Sequence, residues 1–182
     1  MKRAYLFTSE RLGFRNWSKD DLGEFSEMNA DPEVMAYFPI PLTKKESAEF
    51  LQRLQQHYKD HGYNYFATEV LETGEFIGFI GLAYKDYSSA LTPATDIGWR
   101  LKKTAWNKGF ATEGARRCLN YAFETLNLDH IIATFTKNNF NSENVMKKIG
   151  MKKLGTFNHP KLKEDPSFEK CACYGIRKQK TT

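Results

Sequence analysis

Apolar positions along the chain change period several times, and each change marks an element. "RLGFRNW" (residues 11–17) alternates apolar and polar side chains as a strand does. Ser18 and Asp21 then give a capped start to a helix whose inward stripe is Leu22, Phe25 and Met28. Beyond the "FPIP" turn region, Thr43 and Glu46 stand at capping-box spacing, and Ala48, Leu51, Leu54 and Tyr58 recur at helical spacing up to the break at His61 and Gly62. "YNYFATEV" and "EFIGFIGLAY" read as strands joined by a hairpin at "LETG", and "ATDIGWRL" as a third, which predicts an antiparallel run. Ala111, Ala115, Cys118, Leu119, Ala122, Phe123 and Leu126 then repeat every 3.6 residues, a helix that needs a sheet to lie on. "HIIATF" reads as a short buried strand, "NSENVMKKI" as a short helix stopped by Gly150, and "CACYGIR" as a last strand. Helices between strands make the fold class α/β (α+β), and no repeat or linker divides residues 1–182, so a single domain is expected.

Composition narrows the picture without naming a chemistry. Of 182 residues, 41% are apolar, which is material enough for a substantial core. The longest apolar run, "FIGFIGLAY", is too short to cross a bilayer, and "MKRAYLFTSE" lacks the form of a signal peptide, so a cytoplasmic location is expected. Cys118, Cys171 and Cys173 are an odd set without zinc spacing, consistent with reduced structural thiols. His57, His61, His130 and His159 are scattered, so no metal site is expected. The net charge of +5 is unevenly spread. "SKDDLGEFSEMNADPE" carries Asp20, Asp21, Glu24, Glu27, Asp31 and Glu33 against one lysine, whereas "WRLKKTAWNK" and "MKKIGMKK" are basic. No RNP or helix-turn-helix pattern accompanies the basic stretches, so they do not read as a nucleic-acid surface.

The chemistry begins at "TAWNKGFATEG", where a loop runs directly into a helix. Asn107, Lys108, Gly109, Phe110, Ala111 and Thr112 place unpaired N–H groups at the positive end of that helix, an arrangement suited to a phosphate. It is neither a Walker loop nor a GxGxxG turn. A second helix start, "NNFNSENVMKKIGM", sets Asn139 and Ser142 at Asn-x-x-Ser spacing, which by itself makes ordinary caps.

Together these motifs, in the order "DIGWRLKKTAWNKGFATEGARRCLNYAFETLNLDHIIATFTKNNFNSENVMKKIGM", resemble the GNAT N-acetyltransferases, and most closely the branch of the ribosomal-protein N-terminal acetyltransferases. The likeness extends to "TSERLGFRNWSKDDL" and "FNHPKLKEDPSFEKCACYGIR", nearly the whole chain. It implies a mostly antiparallel central sheet with helices on both faces and one splayed strand pair. It implies acetyl-coenzyme A as cosubstrate, with the pyrophosphate on residues Asn107 to Thr112, the pantetheine arm along Asp96 to Leu101 beside Trp99 and Leu101, and the thioester near Asn139 and Ser142. Arg100, Lys102, Lys103, Lys108 and Lys148 are the cations available to phosphates. The sequence departs from the pattern at Asn107, where the branch has glycine, and at Met146, where many relatives have a proton-donating tyrosine.

Acetyl transfer to an amine needs a neutral nucleophile, stabilisation of the carbonyl oxygen and a proton for the leaving thiolate. Freeing an α-amine of its proton at pH 7 costs only about 1 kcal/mol, against roughly 4 to 5 for lysine. By the resemblance, Asp96 is the base, acting through water, unless it is a structural acceptor; Ser142 is the donor to sulfur, unless it only orients or caps; a main-chain N–H between Ile97 and Trp99 supplies the oxyanion contact. Glu113 reads as a helix-dipole or capping residue, and His159, before a proline, as a turn residue. By the same resemblance, the acidic first helix and "NADPEVMAYFPIP", with Tyr37, Phe38 and Tyr63 either lining a pocket or filling core, would form the acceptor side, which suggests a cationic amine, a protein N-terminus among them. A small-molecule amine (antibiotic, polyamine or amino acid) is the alternative acceptor, and a coenzyme A binder without transferase activity the alternative class.

Overall fold

A computed structural model describes residues 4–179. Eight strands form one sheet in the order β1-β2-β3-β4-β5-β6-β8-β7. They are β1 (Phe7–Thr8), β2 (Leu12–Arg15), β3 (Tyr65–Val70), β4 (Phe76–Lys85), β5 (Ala94–Leu101), β6 (His130–Thr136), β7 (Lys152–Asn158) and β8 (Lys170–Arg177). Neighbours run antiparallel except β5 and β6, which are parallel. The helices are α1 (Leu22–Ala30), α2 (Lys44–His61), α3 (Phe110–Asn120), α4 (Phe140–Lys148) and the short α5 (Pro166–Glu169). Their start signals are those read from the sequence. Ser18 and Asp21 make a reciprocal capping box ahead of α1, and Thr43 with Glu46 makes another ahead of α2.

Side-chain alternation along the strands divides the core between the two faces. On one face α3 lays Ala115, Cys118 and Leu119 against Leu12, Phe14, Phe66, Ile80, Leu82 and Ile97. On the other, Phe25, Met28, Leu51 and Leu54 of α1 and α2 meet Ala67, Phe76 and Phe79. Each buried Leu, Ile, Phe or Met among these contributes about 1.5–3 kcal/mol, so both helix layers are tied to the sheet. Gly114 permits the close seat of α3, since a Cβ there stands 2.3 Å from Ile80 Cδ1.

Three features differ from the sequence expectation. β1 is only two residues long, and β7 is an edge strand whose side chains are mostly exposed, so neither carries a burial pattern to announce it. The helix expected to run to Leu126 is α-helical to Asn120 and continues as a π-helical turn, Tyr121–Thr125, which keeps Ala122 in the core. In keeping with the structural thiols expected, the three cysteines are buried and unpaired, and burial pushes the thiols of Cys171 and Cys173 up to about 11 and about 12. Among the described residues no helix is long and apolar enough to cross a membrane.

Candidate active site

The site is built where β5 parts from β6. Their pairing consists of Thr95 with Ile131 and Asp96 with Ile132, after which both strands continue unpaired with each other. β4 covers the far edge of β5 as far as Leu101, and β8 covers the far edge of β6 as far as Thr136. Peptide groups beyond Asp96 that point into the fork therefore lack a strand partner. Asp96 sits at the vertex. Its Oδ1 accepts the Thr134 N–H at 3.2 Å across the fork, and its Oδ2 accepts the Tyr65 hydroxyl at 2.5 Å. The carboxylate thus stands where the next ladder bond belongs. Burial raises it from the ordinary 3.8 to about 6, against the opposing effects of Lys85, Tyr65 and Thr134. Tyr65, which the sequence reading did not single out, is held far above the usual phenol range by burial and by Asp96. Tyr87, in the loop before β5, has a buried hydroxyl close to Asp96 and Thr134, pushed up to about 12 by burial and by Asp96 against the opposing effect of Thr134. No local pattern in "YKDYSSALTP" distinguishes Tyr87; only the fold brings it to the vertex.

At the open end of the fork the chain turns into α3. The Trp106 indole donates to the Leu101 carbonyl at 2.9 Å, and Lys102 N–H to Ile77 O at 2.9 Å, so β5 is tied off there. Leu101 closes the fork with a buried side chain and an occupied carbonyl, while Trp99 remains half-buried beside it. Asn107 and Gly109 both have left-handed backbone, with φ of 61° and 81°. Asparagine tolerates that region, so the place where the branch has glycine keeps its geometry with Asn107. Gly109 is the N-cap, and no side chain caps the helix. The first N–H to fold back is Glu113, to Gly109 O at 3.0 Å. The amides of Phe110, Ala111 and Thr112 thereby open to the helix mouth with the dipole behind them. Lys108 is exposed beside them, and the Phe110 ring is buried.

Glu113 does more than answer the helix dipole. It accepts Ser9 Oγ at 2.7 Å, Arg11 N at 2.8 Å and Arg11 Nε at 2.7 Å, fastening the turn between β1 and β2 to α3. Burial works to raise its pKa, but the Ser9 and Arg11 hydrogen bonds bring it below the usual carboxylate value. Arg11 also stacks 4.6 Å above Phe110 and donates to Lys108 O. An open cavity of about 660 Å³ extends from this point, with Arg11, Arg116, Arg117 and Lys148 among its lining residues. Arg11, Arg116 and Arg117 escaped the sequence reading, although Thr112 and Arg116 are one helical turn apart.

Three of the cations expected to meet phosphates lie elsewhere. Lys102 pairs with Glu24 and Lys103 with Glu33 on the α1 side, while Arg100 is buried on the α1/α2 face of β5 because strand alternation sends it opposite to Trp99 and Leu101. Lys108 and Lys148 remain. The same ion pairs, with Asp21 bound to Arg15, neutralise much of the acidic segment expected to attract a cation. Of the aromatics, Tyr63 is core and hydrogen-bonded to Thr95, Tyr37 receives Thr136 Oγ1 on its carbonyl, and Phe38 is exposed.

At α4, Asn139 is the cap, its Oδ1 accepting Ser142 N–H at 3.0 Å. Ser142 therefore takes part in the cap through its amide, and its half-buried hydroxyl is left outside that bond. Met146 lies in the core. His159 accepts Lys161 N–H in a turn, as its place before proline implies.

An uncapped helix mouth, two left-handed residues and flanking cations match an extended diphosphate, and the fork beside them offers peptide groups to a thin polar chain. Comparison with known proteins bears on this directly. The family model described as an acetyltransferase (GNAT) domain matches residues 11–152. The uncharacterized N-acetyltransferase YnaD of Bacillus subtilis is 34% identical over 152 residues, covering 82% of this chain and 84% of the relative. The crystal structure of a GNAT-family acetyltransferase from Bacillus anthracis superposes with a TM-score of 0.77 at 27% identity, over 93% of this chain and 96% of that one. A spermidine N-acetyltransferase from Vibrio cholerae, solved with coenzyme A and spermine, shares the fold at a TM-score of 0.73 and 21% identity, over 92% and 95% of the two chains.

Proposed function

The chain belongs to the GNAT acetyltransferase family, and from that membership we propose that it acetylates a primary amine approaching from the α1/α2 face, by direct attack on the thioester. Acetyl-coenzyme A is the cosubstrate of such an enzyme. The cosubstrate supplies the activated acetyl group; the rest is positioning by this chain's residues. The amides of Gly109 to Thr112 hold the pyrophosphate with Asn107 and Lys108, and Arg11, Arg116 and Lys148 serve the remaining phosphate charge. The free edge of β5 from Ile97 past Trp99 holds the pantetheine arm, with Leu101 closing its end. Asp96 accepts the amine proton through water, Tyr65 fixing one of its oxygens. The Ser142 hydroxyl, left free because Asn139 makes the cap, donates toward the departing sulfur.

The observation that carries this reading is the fork itself: two parallel strands that part at a buried carboxylate, one of them leading into an uncapped helix. Whether the amine belongs to a protein N-terminus or a small molecule is tested by following coenzyme A release with acetyl-coenzyme A and a panel of peptides, polyamines, aminoglycosides and amino acids. Release with one class identifies the acceptor. Tight coenzyme A binding with no release from any member contradicts the transferase reading and leaves a binder.

A further inference from the structure

Two buried guanidinium groups in this fold are treated differently. Arg15, on β2, is met by Asp21 at 2.7 Å and by Glu69 at 2.6 Å, two carboxylates for one cation. Arg100, on β5, is as deeply buried, at 9% exposure, and among the described residues forms no ion pair. Its Nη1 donates to Asn29 Oδ1 at 2.7 Å, and its buried Nε has no partner. Around it are aromatic rings: Phe38 at 4.2 Å, Phe79 at 5.4 Å and Phe50 at 5.8 Å from the guanidinium carbon. Rings attract the cation but leave its in-plane N–H groups without acceptors.

Leaving a charge buried and unpaired is costly, and the remedy was close at hand. Lys102 and Lys103, the next residues on the chain, take Glu24 and Glu33 from the α1 region, yet neither carboxylate turns to Arg100. Asn29 holds the guanidinium with an amide, and an aspartate at the same place neutralises it. The amide orients the group without satisfying its charge. Asn29 is itself fixed, fully buried, with Nδ2 donating to Ser47 Oγ and its carbonyl accepting Leu42 N–H. The guanidinium is thus held in place with hydrogen-bonding capacity at Nε that no described residue takes up.

Its position relates it to the fork. Asp96, Gly98 and Arg100 alternate on one face of β5, so Arg100 lies about 7 Å beyond Gly98 and about 13 Å beyond Asp96 along the strand. Phe38, 40% exposed, covers the guanidinium from the solvent side and comes from the loop between α1 and α2. An acceptor entering there meets the aromatic cover, the cation and then the open strand edge.

We infer that Arg100 receives a carboxylate of the acceptor, so that the amine acetylated by this chain also carries a carboxylate. The inference rests on the acetyl-transfer reading above and narrows its acceptor. It replaces the attraction of cations expected from the acidic segment, whose Glu24 and Glu33 are already spent on lysines.

Matched amines differing only in the carboxylate provide the test: amino acids against their decarboxylated amines, and peptides beginning Ala-Asp against Ala-Asn. The wild type is expected to favour the carboxylate member by tenfold or more in kcat/KM, roughly the weight of one charged hydrogen-bonded contact. The free amino acids and the peptides then separate a small molecule from a protein terminus as the carrier. Arg100→Gln brings the ratio within each pair to near one, and Arg100→Lys keeps part of it. Asn29→Asp supplies an internal counter-ion, so it raises the melting temperature while abolishing the preference. No preference in the wild type, or variants that slow both members of each pair equally, overturns the inference. Melting-temperature shifts with the same amines, read without acetyl-coenzyme A, separate the two readings. A carboxylate-dependent shift with no transfer to any amine contradicts the transferase and keeps the receptor; transfer with equal shifts does the reverse.

Discussion

Asp96 sits where β5 and β6 part, and in the proposed transfer its carboxylate is the base. Burial lifts it to about 6, so the folded chain binds its proton more tightly than the unfolded chain does. A raised pKa stabilises the fold fully below about pH 3.8, and that contribution is lost as pH rises through about 6. At pH 7 the ionised group therefore costs stability. Asp96→Asn should raise the stability at pH 7 by about 1–3 kcal/mol in denaturant melts. It should also slow transfer and remove the acid limb near pH 6 from the rate profile. Ser142→Ala keeps the backbone N–H that Asn139 caps, so coenzyme A affinity should hold while kcat falls at least tenfold. Unchanged kcat removes Ser142 from the chemistry. Gly109→Ala places a side chain at φ 81°, at a cost of about 1–2 kcal/mol, and titration should register about a tenfold loss of coenzyme A affinity.

Elements with one buried face were legible in the sequence, and those without were not. The stripes of α1, α2 and α3 and the buried runs of β3, β4 and β5 write their period into the chain. β7 lies at the sheet edge with little to bury, and the side chain of Leu154 within it is half exposed, so pairing with β8 rather than hydrophobicity defines it. The site divides in the same way. Asn107 to Thr112 and Asn139 to Ser142 are contiguous and visible as helix starts. Tyr65 and Tyr87 reach the fork, and Arg11 and Arg116 the cavity beside the α3 mouth, from separate elements, and no spacing along the chain announces either meeting. Arg100 shows the local rule ignored: period two sends it away from Trp99 and Leu101, although composition groups it with the basic loop. At the level of a whole helix, removing the Asn139 cap by Asn139→Ala should cost about 1 kcal/mol and weaken α4, detectable as faster hydrogen exchange over residues 140–148.

Taken as a whole, the molecule places two helix layers on opposite faces of a sheet and leaves one fork in it. α3 and α4 serve one side, where the basic lining of Arg11, Arg116, Arg117 and Lys148 suits phosphates. α1, α2 and their connecting loop cover the other, where Arg100 waits under Phe38. On the proposed reading the two substrates approach from different sides of one sheet, and proximity in the fork would supply much of the acceleration. The most direct measurement is an amide NMR titration with coenzyme A. Gly109, Phe110, Ala111 and Thr112 should show the largest shifts, followed by the β5 amides from Ile97 to Arg100. Saturating binding that leaves those helix-mouth amides unmoved contradicts the proposed phosphate site.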